Sequence, residues 1–284
     1  DQVQTTPIRC VYMFNVALRF LIQGCGATVI LCTATQPLLD KIDSRHHALT
    51  IPPEHKIISN EKELFDALTR YQVLDRRKIG GWDDEEVAGL VEQELSKTGS
   101  VLVIVNTRKS ARSLYQMIES KQIAPVYHLS TNMCPAHRLW ILETIKSRLG
   151  KQPVICVSTQ LIEAGVDIDF GTVIRYTAGL DSITQAAGRC NRNGLRESGN
   201  VWIINPKEEN LTRLVDIVKG REVAERVLDE FSTHPESFDN NPLGLAAMNE
   251  YYQYYFYQRK DEMSYQVGAN SAVGREDNLF NLLS

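Results

Sequence analysis

The fold is decided by residues 153–194, which read PVICVSTQLIEAGVDIDFGTVIRYTAGLDSITQAAGRCNRNG. Two short apolar runs, 154–157 and 172–174, are bounded by turn-forming residues and followed by polar loops, as expected of β-strands. Neither run alternates with polar residues, which is typical of central strands in a parallel sheet that helices cover on both faces. Ligands bind such sheets at the loops that follow the strands. We therefore predict an α/β domain whose function lies in these loops.

Polar groups suited to nucleic acid follow the first of these runs. Thr159 and Gln160 come directly after it, and hydroxyl and amide groups are typical partners of nucleic-acid phosphate and sugar. Gly165 permits a close approach of the backbone to a ligand, and Asp167 is suited to accept hydrogen bonds from a ribose. The pattern therefore predicts a ligand-binding loop over residues 158–169.

A second polar segment, QAAGRCNRNG at residues 185–194, follows the second run. Arg189 and Arg192 are three residues apart, which is one turn of a helix, so we expect both side chains to project from one helical face. Guanidinium groups present several donors in a geometry that matches phosphate. The segment therefore predicts a site for a common anion.

The two segments together resemble a known family. The pattern Q-x-x-G-R-x-x-R, preceded by S-T-Q-x-x-E-x-G-x-D, is similar to motifs VI and V of superfamily 2 helicases, which lie in the second of two RecA-like domains. The resemblance implies that Arg189 and Arg192 neutralise the γ-phosphate of ATP, with Arg192 as the arginine finger. It also implies that Gln185, Gly165 and Asp167 sense the nucleotide. An ordinary α/β domain whose arginines form surface ion pairs is the alternative.

The start of the chain narrows the resemblance. Residues 1–4, DQVQ, and residues 31–37, LCTATQP, resemble motifs II and III of the CRISPR-associated helicase-nucleases of type I systems. In that family the aspartate, here Asp1, helps hold Mg²⁺, and the next residue is a glutamate that activates water. Gln2 stands in its place, and an amide cannot accept the proton. The resemblance also implies DNA contact by Thr35, and it places the phosphate-binding loop and a nuclease domain before residue 1, so we expect a fragment.

Two more polar loops follow predicted strands. The strand over 101–105 leads into Thr107 and Arg108 at the start of a helix, where unpaired amides and the helix dipole suit a DNA phosphate. This unit resembles motif IV, although a normal strand-to-helix turn is the alternative. After a predicted strand over 125–129, the resemblance places Ser130 and Thr131 against the DNA strand, together with Thr159 and Gln160.

Composition sets the broad class. The chain has 284 residues, of which 43% are hydrophobic and 23% charged, with a net charge of −4. These values are ordinary for a globular protein and argue against one that coats DNA through bulk positive charge. The six cysteines form no C-x-x-C pair, which favours reduced thiols in a cytoplasmic protein over zinc sites or disulfides. No apolar run reaches membrane-spanning length and no signal peptide opens the chain.

The resemblance divides the chain into three parts. Residues 1–45 correspond to the end of the first RecA-like domain, 46–206 to the second, and 207–284 to a helical linker region that precedes an accessory domain. The predicted class is α/β, a RecA-like parallel sheet with helices on both faces (the second lobe of a P-loop NTPase), plus a C-terminal helical linker.

Further elements are predicted from periodicity and from capping and turn residues. They are a helix over 8–22, strands over 27–32 and 51–59, a helix over 61–72, a loop over 73–83, helices over 84–97, 211–219 and 222–231, and a helix over 243–262. The last contains the aromatic run YYQYYFY at residues 251–257. Packing of this helix against the RecA-like body is favoured for the run over stacking on nucleic-acid bases.

The resemblance implies an ATP-driven motor that moves along single-stranded DNA in type I CRISPR interference and feeds the target for degradation. The implied cofactors are ATP and Mg²⁺. The implied partners are single-stranded DNA, the N-terminal nuclease and first RecA-like part, and a CRISPR RNA-guided effector complex, with no membrane involved. Two alternatives stay open: another superfamily 2 helicase that acts on RNA or DNA, and a non-catalytic half-motor that only binds DNA or a partner.

Overall fold

The computed structural model describes residues 6–33, 39, 49, 51–58, 60–163 and 165–263, together with the backbone of residues 266–267 and 277–278. Three predicted site residues, Asp1, Gln2 and Thr35, lie outside this part of the chain. The chain forms two compact units, one of residues 64–244 and one of residues 1–63 with 245–284. We call them the sheet unit and the helical unit. The predicted division into helicase domains stays a prediction.

The sheet unit is built on six parallel strands in the order β1-β6-β5-β2-β4-β3. The strands are β1 Tyr71–Asp75, β2 Ser100–Ile104, β3 Val126–Leu129, β4 Val154–Ser158, β5 Thr172–Tyr176 and β6 Gly199–Ile204. Every residue of β2, β4 and β5 is buried, as predicted for the apolar runs 154–157 and 172–174.

Helices cover both faces of this sheet. They are α3 Asp84–Thr98, α4 Arg108–Ser120, α5 Pro135–Arg148, α6 Leu180–Ala187 and α7 Val215–Thr233. A further helix, α2 Glu61–Leu68, precedes β1 and has no buried residue. Val101 and Val103 of β2 pack in one core cluster with α3 and α4. Leu102 and Ile104 are equally buried, and because side chains alternate along a strand they lie on the opposite face. The predicted two-sided α/β architecture is confirmed.

Local signals explain where several elements begin and end. The Asp83 side chain accepts a hydrogen bond from the Glu86 amide, and the Glu86 side chain accepts one from the Asp83 amide, so a capping box starts α3. Gly99, with φ of 73°, ends that helix in the left-handed conformation. The Thr107 hydroxyl accepts from the Ser110 amide and starts α4.

Three predictions in the sheet unit are wrong. The predicted loop over 73–83 begins inside strand β1, whose five residues pair with β6. The helix predicted to reach residue 72 ends at Leu68, because β1 begins at Tyr71. The two helices predicted over 211–219 and 222–231 are one helix, α7, which continues through buried Gly220. A glycine inside a helix costs only about 1 kcal/mol, which packing readily offsets.

The helical unit contains α1 Val11–Arg19, α8 Leu245–Gln258 and a short antiparallel pair, β7 Gln266–Val267 with β8 Asp277–Asn278. The predicted helix over 8–22 is split into a 3₁₀ turn, α1 and a π-helical turn over Phe20–Gly24. The predicted strand over 27–32 is not formed, because no strand among the described residues pairs with it. The strand predicted over 51–59 contains a 3₁₀ turn at Pro53–His55 instead.

The aromatic run of α8 serves packing, at least in part. Tyr251 and Tyr252 are almost fully buried, and Phe256 packs against a core cluster that includes Val11 and Tyr12 of α1. Burial of large aromatic side chains contributes strongly to core stability. Burial of these aromatic side chains is confirmed, and the core that holds them includes α1. No helix within the described residues is both long and apolar enough to cross a membrane.

Candidate functional site

Three predicted DNA-binding loops lie side by side at the carboxyl ends of the parallel strands, which we call the sheet edge. Strands β2, β4 and β3 are neighbours, and their last residues, Ile104, Ser158 and Leu129, are in register. The loops that follow are therefore side by side. The Thr159 amide donates to the Leu129 carbonyl over 3.1 Å, and this bond fixes the loop after β4 against the end of β3.

The residues predicted to bind DNA differ in accessibility at this edge. Arg108 and Thr131 are exposed, and the Arg108 Nη1 donates to the Asn132 side chain across two loops. Thr107 and Gln160 are half-buried. Ser130 and Thr159 are buried, at 3% and 8% exposed. Single-stranded DNA can thus reach the two exposed side chains and the two half-buried ones directly.

The two arginines of the predicted nucleotide site do not lie on a helix, and that prediction is wrong. Helix α6 ends at Ala187, before both of them. Asn191 has a φ of 48°, a left-handed conformation that cannot continue a helix, so the chain turns between the two arginines. They consequently have separate partners.

Arg189 is buried and grips the backbone of the loop after β4. Its Nε donates to the Ile162 carbonyl over 3.1 Å, and its Nη2 donates to the Glu163 carbonyl. Burial lowers the pKa of Arg189, and the nearby positive charge of Arg192 lowers it further. Its guanidinium therefore ties residues 188–190 to the short 3₁₀ turn Gln160–Ile162.

Arg192 is the accessible arginine of the pair. Its side chain is 44% exposed, and its Nε lies 2.9 Å from Oδ1 of Asp167. Its backbone amide donates to Asp169 over 2.8 Å. Gly165, with φ of 70°, would place a side chain in open space, so the backbone there is accessible. Gln185 lies on α6 and is half-buried.

A buried charged cluster lies between these groups, and the sequence reasoning missed it. Arg175 of β5 is fully buried and donates through Nη1 to Asn106 Oδ1 over 2.7 Å and through Nη2 to Ser182 Oγ over 2.8 Å. Its Nε lies 2.9 Å from Glu163 Oε1. The two atoms form an ion pair, but their geometry is not that of a hydrogen bond. The signal that was available is an arginine inside an apolar strand, since a buried arginine requires a partner.

The carboxylate of Glu163 is held by the same cluster. Ser182 Oγ donates to Glu163 Oε2 over 2.7 Å. Burial raises the pKa of Glu163, while Arg175 and Ser182 oppose the shift by favouring the charged form. Glu163 therefore has its side chain held by β5 and α6 and its carbonyl held by Arg189.

A metal ion has one predicted ligand, Asp1, which lies outside the described residues. In the part of the chain that the structure describes, no group of three or more His, Cys, Asp or Glu side chains is arranged to hold a metal ion. Mg²⁺ takes oxygen ligands in octahedral geometry, commonly one or two carboxylates together with substrate phosphates. The described residues thus offer cationic groups for phosphate but no protein cage for the metal.

Comparisons with known proteins agree with this geometry. Residues 97–195 match the model of the Cas3-like C-terminal family, described as CRISPR-associated nuclease/helicase Cas3, C-terminal. Over 88 residues the chain is 43% identical to the CRISPR-associated nuclease/helicase Cas3 of Haloferax volcanii, which is 29% of this chain and 9% of that protein. Over 178 residues it is 23% identical to a putative Cas3 of Methanocaldococcus jannaschii, 60% of this chain and 24% of that one.

Solved structures share the fold. The crystal structure of T. fusca Cas3-ATP matches with a TM-score of 0.63 at 16% identity, and the match covers 92% of this chain and 37% of that chain. That of T. fusca Cas3 has a TM-score of 0.61 at 18% identity, covering 92% and 38%. The chain thus spans less than a quarter of the length of these two curated relatives. Residues 97–195 are thus similar to the C-terminal region of the CRISPR-associated nuclease/helicase Cas3 family, and the chain shares the α/β fold of T. fusca Cas3.

Proposed function

We propose that this chain is half of an ATP-driven motor that moves along single-stranded DNA in CRISPR interference. Arg192 acts as the arginine finger on the γ-phosphate. Thr107, Arg108, Thr131 and Gln160 contact the DNA backbone. The missing half of the nucleotide site, including the phosphate-binding loop, belongs to a first RecA-like domain.

One observation carries the proposal: a single connection, residues 159–169, joins both predicted sites. It begins at the sheet edge with Thr159 and Gln160, beside the other DNA-binding loops. Arg189 holds its middle through the Ile162 and Glu163 carbonyls. It ends at Asp167 and Asp169, which are bound by Arg192. A movement of either arginine therefore displaces the residues at the sheet edge through one short segment.

The charge pair of Arg192 and Asp167 suits an exchange of partners. Asp167 is 77% exposed and Arg192 44% exposed, so their contact is a surface ion pair. Such pairs contribute only about 0–1 kcal/mol to stability. A phosphate oxygen can replace the carboxylate at small cost, because guanidinium binds both in the same geometry. Hydrolysis of bound ATP supplies the free energy for movement, and Arg192 stabilises the charge that develops on its terminal phosphate.

The test requires the missing half. The sequence contains no G-x-x-x-x-G-K-[ST] loop, so we expect no ATP turnover by the chain alone. The assay therefore uses the chain with Gln2→Glu, mixed with the N-terminal part that supplies this loop, and compares single-stranded DNA with RNA as stimulant. DNA-specific stimulation is expected for the motor proposed here. Stimulation by RNA alone would indicate a different superfamily 2 helicase, and DNA binding without turnover would indicate a half-motor.

In the same mixture, Arg192→Ala is expected to lower DNA-stimulated turnover at least about a hundredfold, since arginine fingers contribute roughly 10³ to 10⁵ in rate in related hydrolases. The dissociation constant for DNA should change less than twofold. Arg226→Ala is the matched control, because it also removes a half-exposed arginine from an ion pair, here with Glu230 on α7. Unchanged turnover in Arg192→Ala would contradict the assigned role.

A further inference from the structure

Glu163 occupies an unusual position in the connection that joins the two proposed sites. Its side chain is 7% exposed and pairs with the fully buried Arg175, and its Oε2 accepts from Ser182. Its own carbonyl accepts from Arg189. Glu163 is thus bound by strand β5, by helix α6 and by the turn that carries Arg192.

The buried cluster also extends from Glu163 to the loop after β2, which belongs to the sheet edge. Arg175 also donates to the Asn106 side chain, and Asn106 directly precedes Thr107 and Arg108. The Asn106 Nδ2 in turn donates to the Thr177 carbonyl and to Glu209, both over 2.9 Å. A single buried guanidinium therefore connects the loop after β2, the connection after β4 and helix α6.

We propose that Glu163 is a positioning residue that couples nucleotide binding at the 188–193 turn to DNA binding at the sheet edge. The inference rests on the proposed function. Its physical basis is that separating a buried carboxylate from a buried guanidinium leaves both charges uncompensated, which is strongly unfavourable. The turn over residues 160–163 consequently moves as a rigid body with β5 and α6. A shift of Arg189 is transmitted to Gln160 and is not absorbed by bending of the loop.

The measurement is the coupling between the two ligands. In the full-length protein, the dissociation constant of a fluorescein-labelled oligo(dT) is determined by anisotropy with and without a non-hydrolysable ATP analogue. The ratio of the two constants gives the coupling, which for linked sites is typically about 5- to 150-fold. In Glu163→Gln, which keeps the shape but removes the charge, this ratio is expected to fall to within twofold of unity.

Glu94→Gln is the matched control for lost stability. Glu94 also has a fully buried carboxylate, paired with Lys97 at 2.7 Å and bonded to Thr172 and Asn200 near the amino-terminal ends of β5 and β6. It has no contact with the 159–169 connection among the bonds that the structure describes. Its removal should lower the melting temperature but leave the coupling ratio at the wild-type value.

The outcomes separate this inference from the proposed function. A wild-type ratio of unity would overturn the proposed function and the inference with it. A wild-type ratio above fivefold that Glu163→Gln retains would overturn the inference alone, as would an equal loss of coupling in Glu94→Gln. If Glu163→Gln does not fold, Ser182→Ala decides, because it removes one hydrogen bond to Glu163 and one from Arg175 but keeps both charges. An unchanged ratio in that variant would then overturn the inference.

Discussion

Replacement of Arg175 by methionine tests the buried cluster most directly. Methionine has a similar length and adapts to irregular cavities, so the change removes the charge and the donors with little loss of volume. Arg175 is fully buried and contacts Glu163, Asn106 and Ser182. Breaking a buried pair by removing one partner costs about 3–5 kcal/mol, because the other charge stays buried without compensation.

The expected loss is large enough to measure. For a unit of this size, 1 kcal/mol corresponds to about 2–4 °C in the melting temperature, so Arg175→Met should lower it by roughly 6–20 °C. Urea unfolding followed by tryptophan fluorescence gives the free energy of unfolding independently. Arg226→Met is the control, since its ion pair with Glu230 is half-exposed and should contribute no more than about 1 kcal/mol.

The pH dependence identifies the cause of that loss. Burial already raises the pKa of Glu163, and removal of Arg175 raises it further because the main opposing charge is lost. A carboxyl group whose folded-state pKa is raised stabilises the folded state when it is protonated, and that stability is lost as the pH rises through the folded-state pKa. The loss of unfolding free energy caused by Arg175→Met should therefore be greatest at pH 8 and become smaller as the pH is lowered. The double variant Glu163→Gln/Arg175→Met should lack this pH dependence.

Two results would refute the reasoning. A destabilisation of less than about 1 kcal/mol at pH 8 would mean that the pair contributes no more than a surface contact. A destabilisation that does not change with pH, or that persists unchanged in the double variant, would mean that the uncompensated Glu163 carboxylate is not its source.

Two further predictions concern the DNA edge and the core. Arg108→Ala should weaken single-stranded DNA binding and lower the slope of log affinity against log salt by about 0.7, the value of one phosphate contact; an unchanged slope, as expected for Arg226→Ala, would exclude such a contact. Gly199→Ala should destabilise the protein by about 1–3 kcal/mol, because an added Cβ would clash with Cys190 Sγ. Gly89→Ala on α3, where a Cβ meets nothing within 4 Å, should be neutral or stabilising, and equal melting temperatures for the two variants would count against the clash.

Short-range patterns were sufficient for the frame of the sheet unit. The unbroken apolar runs of β2, β4 and β5 predict strands that are buried on both faces, and the structure buries all of their residues. The capping residues Asp83 and Thr107 are readable because a cap acts on backbone groups two or three residues away. The polar loops after these strands are placed by the same reasoning, since parallel strands end at a common edge.

Long-range contacts decided the remainder. Strand β1 is a strand only because β6, more than a hundred residues later in the chain, pairs with it, and its own residues carry a weak apolar signal. A pattern at helical spacing suggested two arginines on one helical face, yet the chain turns at Asn191, and Arg189 is buried whereas Arg192 is accessible.

The partnership of Glu163, Arg175 and Asn106 lies beyond any local pattern. These residues come from three separate segments and meet only once the parallel sheet has formed. The sequence by itself thus determined the central strands β2, β4 and β5, the starts of α3 and α4, and the polar loops that follow these strands. The tertiary structure decided which charges are buried together, because burial of a charge depends on everything packed around it and not on its neighbours in the chain.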